Sequence, residues 1–174
     1  RHSHARFTSF FLKEFLKGAE WIKCDKEKLW ETASYHHNPK TKEGRIIQLA
    51  DWLASSEREK DDENTLQYNA VQLRSIFGTL NESNIKRYYR LDSLSFENMI
   101  PILAEPERTK RNYELTSNEL IDNFRKVTDK DDLLFFFEKY YSLVPAQTIG
   151  NDPDISLFDH SKLTAAITVC LVQE

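Results

Sequence analysis

SYHHNPKTKEGRIIQLADWLASSERE, residues 34–59, holds two adjacent histidines, a short polar turn and a helix with one aspartate on its apolar side. Ile46, Ile47, Leu49, Ala50, Leu53 and Ala54 recur at helical spacing and make one apolar stripe. Asp51 lies on that stripe, four residues after Ile47 and three before Ala54. A carboxylate facing a core is costly unless it is paired, hydrogen-bonded or bound to a metal. Ser55 to Glu59 then turn the helix polar, as at an exposed end. His36 and His37 precede Asn38-Pro39, and proline disfavours helix in the residue before it, so the preceding helix should end near His37 or Asn38. Two imidazoles at a helix end, followed one loop later by an inward-facing carboxylate, suit a divalent metal cluster. The same residues also suit a histidine capping a helix C-terminus and an aspartate bonded to a buried backbone amide.

The remainder reads as helical scaffold. The 174 residues suit one domain with a core of its own, and 40% hydrophobic with 12% aromatic residues is a globular composition. Only 4 Gly and 5 Pro argue against an all-β fold built on tight turns. A net charge of -4 carries no overall basic signature of a nucleic-acid binder, although a local patch is compatible with it. Cys24 and Cys170 lie far apart with no CxxC pattern, which points to a reduced, cytoplasmic protein. Neither a membrane-length apolar run nor a signal peptide is visible. The chain opens at Arg1, without methionine and in mid-element, so it reads as a piece of something longer.

In order, residues 1–18 read as a helix with Phe7, Phe10, Phe11, Phe15 and Leu16 on its apolar face and Gly18 as its C-cap. A second helix, residues 26–35, puts Leu29, Trp30, Ala33 and His37 on one side and mounts the histidine pair on its end. Residues 57–64 are a mixed charge run and read as solvated. Residues 65–77 carry Leu66, Tyr68, Val71, Leu73, Ile76 and Phe77 with ambiguous periodicity. IKRYYRLD, residues 85–92, reads first as a strand with alternating faces. Its Lys86, Arg87 and Arg90 around two tyrosines also suit single-stranded nucleic acid. Residues 95–103 read as a short helix or strand, and residues 105–112 as an exposed loop. Thr116 to Val127 is a helix with Thr116 and Glu119 as a capping box. Asp129 to Tyr141 is the next helix, apolar nearly all round and so central or covered by a partner. Residues 156–171 form the last, with Leu163, Ala166, Ile167, Cys170 and Leu171 inward, Asp159 as a helix-start charge and His160 as a structural or domain-contact residue.

The HH pair, the loop and the ADWLASSERE helix resemble the HD-type phosphohydrolase domain of the large subunit of type III CRISPR effector complexes, the Csm-type subunit in particular. DISLFDHSKLTAA (154–166) is similar to the segment that closes this domain. LRSIF (73–77), YYRLDSL (88–94) and YYSLVPAQT (140–148) match family landmarks in the same order.

The resemblance covers nearly the whole chain. It implies a mostly-α, HD-domain-like helical bundle, with residues 1–174 as a single domain, a first ligand helix before residue 1 and palm domains after residue 174. It implies a metal-dependent nuclease that cuts single-stranded DNA within an RNA-guided antiviral complex. Manganese, nickel or cobalt would be the divalent metal ahead of magnesium. His2, His36, His37 and Asp51 would be metal ligands, with His36 and Asp51 catalytic and His4 the alternative to His2.

The implied partners are the other subunits of the complex, its guide RNA and target RNA, and a single-stranded DNA substrate, with no membrane. Cyclic oligoadenylate synthesis would belong to the palm domains of the parent protein. One departure stands out: the family's His-Asp pair does not occur, since Asp159-His160 is reversed and lies in the closing segment. Two other readings stay open beside the nuclease. One is an HD-fold scaffold whose metal site is lost, and the other an HD-type nucleotide phosphohydrolase.

Overall fold

The computed structural model describes residues 3–55, 67–80, 85–148 and 153–173. The fold is mostly α: six α-helices among the described residues, α1 (Ser3–Gly18), α2 (Lys26–Ser34), α3 (Lys42–Ala54), α4 (Pro106–Phe124), α5 (Lys130–Tyr141) and α6 (Leu157–Gln173). His2, the charge run 57–64 and Leu66 lie outside the described residues.

Local chemistry sets most helix starts. Asp25 caps α2 by accepting from the amides of Glu27 and Lys28. Thr41 caps α3 through Gly44, and Asp129 caps α5 through the amides of Asp131 and Asp132. At α6, Ser156 Oγ accepts from the Asp159 amide at 3.0 Å and donates to Asp159 Oδ2 at 2.7 Å. Asp159 is thus the helix-start carboxylate expected of it.

The core is an aromatic cluster. Phe124, Phe136 and Tyr140 are buried, with Phe15, Leu120, Val127, Leu133, Phe137 and Tyr141 packed around them. The Phe15 ring stacks 4.2 Å from that of Phe124, which joins α1 to α4 and α5. The Tyr140 hydroxyl donates to Glu119 Oε1 at 2.8 Å and accepts from Asn123 Nδ2 at 2.9 Å, so its buried oxygen is satisfied. Helices α3 and α6 pack together more extensively than any other pair.

Several expectations are corrected. Residues 105–112 are not a loop, because α4 begins at Pro106, where a fixed φ favours the first helical position. Thr116 is therefore a buried mid-helix residue and not a cap. The buried face of α4 contains Thr109 and Thr116, and threonine gives no apolar signal. On α6 the buried residues are Phe158 and His160, whereas Leu163, Ala166 and Cys170 are exposed. Phe10 and Leu29 are also exposed. Phe135 and Leu134 face solvent, so α5 is covered on one side only.

Residues 85–92 form no named strand. Tyr88 makes isolated antiparallel bridges to Arg74 and Ile102, and residues 95–103 are turns and bends around the second bridge.

Candidate functional site

The site grows from the α2–α3 connection and from α6. Helix α2 ends at Ser34, and a turn follows in which the Asn38 amide donates to Tyr35 O at 2.8 Å. Pro39 then prevents further helix. His36 Nδ1 lies 2.6 Å from Ala33 O. A carbonyl only accepts, so Nδ1 carries the proton. The two histidine rings sit 4.0 Å apart, tilted by 46°.

Helix α3 is fastened once to this turn and once to α2. Gln48 Nε2 donates to His37 O at 3.0 Å, and Lys28 Nζ pairs with Glu43 Oε1 at 2.6 Å. The hydrogen bond of that pair, and then a backbone hydrogen bond, hold the Glu43 carboxyl below its usual range; the same pair bond, and then the Glu43 charge, hold the Lys28 ammonium above its own.

Asp51 projects from the last turn of α3, flanked along the helix by Ala50 and Ala54, both buried. These small side chains let α6 approach closely. The aspartate's partner is on α6: His160 Nε2 lies 2.9 Å from Asp51 Oδ1, across 109 residues of sequence. The carboxylate is one-third exposed and the imidazole nearly buried. The inward-facing carboxylate that the sequence leaves in need of a reason therefore has one.

His160 is the residue that sequence reasoning missed as a site component. A signal exists, since it lies three, seven and eleven residues before Leu163, Ile167 and Leu171 on the stripe read as inward. A histidine on such a stripe needs a polar partner.

The described part of the expected ligand set is not gathered. Among the described residues, no three His, Cys, Asp or Glu side chains come together in a way that could hold a metal ion. His2 lies outside those residues, and His4 is in the first turn of α1. The His36 ring faces its own helix end, and Asp51 faces His160. The described side chains do not by themselves fit a divalent metal.

No protein-family model matches the chain. Among curated proteins, it is 34% identical over 196 residues to a Methanocaldococcus jannaschii protein named CRISPR system single-strand-specific deoxyribonuclease Cas10/Csm1 (subtype III-A). The alignment covers 98% of this chain and 24% of that protein. Over that segment the chain is a homologue of Cas10/Csm1. The Cas10/Csm1 of Enterococcus italicus is 27% identical over 201 residues, which span 97% of the chain and 25% of the relative. The chain thus spans about a quarter of the length of the curated relatives it matches. The fold agrees: the crystal structure of Csm1 in T. onnurineus superposes with a TM-score of 0.67 at 22% identity. It covers 99% of this chain and 25% of that Csm1.

Proposed function

We propose that the chain is a segment of the large subunit of a type III CRISPR effector complex and serves cleavage of single-stranded DNA. The observation that carries this reading is the 34% identity, across 98% of the chain, to a Cas10/Csm1 named as a single-strand-specific deoxyribonuclease. The ordered motifs quoted above support it. The partners would be the other subunits of the complex, with guide and target RNA held by the assembly. Cyclic oligoadenylate synthesis would fall to other parts of the parent. A cytoplasmic location goes with this reading, and no described helix is long and apolar enough to cross a membrane.

Within this reading Asp51 is the catalytic carboxylate. It sits on a rigid helix, with part of its surface open to solvent and its orientation set from α6. His36 stands in the turn after α2, with its Nδ1 on Ala33 O. A divalent metal, manganese, nickel or cobalt ahead of magnesium, is the cofactor proposed for the whole protein, with His2, His36, His37 and Asp51 as candidate ligands. The described residues do not complete such a set, so no step is derived through it.

That same observation favours a second reading, in which the segment is an inactive scaffold holding its neighbours. Cleavage of single-stranded DNA by the full-length parent, with added Mn²⁺ and with EDTA, separates the two. Asp51→Asn should reduce cleavage by about 100-fold or more, the scale for an essential catalytic group. Equal cleavage by the variant would remove Asp51 from the site. No cleavage by the folded, assembled parent would leave the scaffold.

A further inference from the structure

We infer that His160 is a positioning residue of the functional site, fixing the Asp51 carboxylate through an Nε2–H···Oδ1 hydrogen bond. The inference rests on the nuclease reading above. Three observations carry it.

The first is the direction of the bond. An ionised carboxylate only accepts, so at 2.9 Å the proton lies on His160 Nε2. One oxygen of Asp51 is thereby committed inward, while the side chain keeps a third of its surface toward solvent. The outward part is what a substrate can reach, and its rotation is set by the inward bond.

The second is what the imidazole leaves behind. Among the described residues, His160 Nδ1 is buried without a hydrogen-bond partner. A leucine would fill this part of the α3–α6 interface and strand no polar atom. Packing alone therefore does not account for an imidazole; the bond to Asp51 does.

The third is the mount. His160 stands in the first turn of α6, whose start is held by the reciprocal Ser156–Asp159 bonds. That start is also tied to the preceding segment, with Leu157 N donating to Val144 O at 2.7 Å and Ala146 N to Ile155 O at 2.9 Å. A side chain on such a base has little freedom to wander, as a residue that orients another requires.

The test uses the full-length protein in its complex and two substitutions of similar size. In His160→Gln the amide nitrogen falls near the place of Nε2. In His160→Asn it reaches only the place of Nδ1. For single-stranded DNA cleavage, His160→Asn should lower kcat about tenfold or more with KM changed less than about twofold, and His160→Gln should recover to within about threefold of the parent. The thermal transitions of the two variants should agree.

The inference is overturned if His160→Asn cleaves like the parent. It is also overturned if activity and thermal stability fall in parallel in both variants, which is what a merely structural contact gives. If Asp51→Asn is inactive while His160→Asn is not, only this inference fails; if Asp51→Asn cleaves normally, the nuclease reading fails first and takes this one with it. Should the asparagine variant not fold, neutron diffraction of the parent decides. Deuterium on Nε2 supports the inference, and deuterium on Nδ1 alone overturns it.

Discussion

Substituting alanine at two glycines should move stability in opposite directions, for reasons of space alone. Gly44 is buried in the first turn of α3. A Cβ there would lie 2.9 Å from Pro39 Cβ and 3.2 Å from Thr41 Oγ1. Carbon atoms pack best at about 3.5–4.0 Å, so the first contact is short by roughly 0.6–1.1 Å. Neither neighbour can swing away. The Pro39 carbon belongs to a ring closed on the backbone, and Thr41 Oγ1 accepts from the Gly44 amide.

Overpacking of this kind costs about 1–3 kcal/mol, and alanine in place of glycine in a helix returns up to about 1 kcal/mol. Gly44→Ala should therefore lose about 1 kcal/mol, or roughly 2–4 °C of thermal midpoint for a domain of this size. At Gly18, on the end of α1, nothing lies within 4 Å of the added carbon. Gly18→Ala should gain about 0.4–1 kcal/mol by narrowing the unfolded ensemble. Differential scanning calorimetry of the two variants beside the parent reads both shifts. Midpoints moving in the same direction, or an unchanged Gly44→Ala, would refute the steric argument.

Phe124→Ala removes the ring on which α1, α4 and α5 meet and should cost about 3–5 kcal/mol by chemical denaturation. Phe135→Ala, on the exposed side of α5, should stay within about 0.5 kcal/mol. Burial first, and then the Glu119 carboxylate it donates to, push the Tyr140 phenol from 10.0 up to about 12. A folded-state value above the unfolded one contributes stability that is whole below pH 10 and lost as pH climbs toward 12. Burial also raises the Tyr113 and Tyr141 phenols, so ultraviolet titration should find several late-ionising tyrosines, one of which disappears in Tyr140→Phe, and that variant should show a shallower alkaline loss of stability.

Helix α3 was legible because its apolar residues recur at 3.6-residue spacing and Asp51 interrupts them conspicuously. The start of α4 was not, because Thr109 and Thr116 hold its buried face while Glu, Arg and Lys fill the rest. These are good helix formers that imitate a solvated loop when only polarity is read. The irregular run 85–103 escaped because its pairings join single residues from three separated segments, and one-residue bridges impose no alternation on the sequence. The histidine pair lies in the turn after α2, which ends at Ser34 and so short of the end expected near His37 or Asn38. Its relation to Asp51 depends on how two helix axes are set, which spacing along one chain does not encode. The partner of Asp51 lay 109 residues away, beyond any local pattern.

That separation also has a consequence for the order of assembly. During synthesis α3 emerges with its alanine face uncovered and Asp51 without a counterpart. Helices α4 and α5 can form the aromatic cluster with α1 while the ribosome is still working. The surface that closes over α3 follows α4 and α5, after a further 109 residues, or roughly 5–20 s at ordinary elongation rates. Asp51 and His160 thus meet only after the intervening helices have been made, so a chain cut short before α6 carries the carboxylate but never the pair.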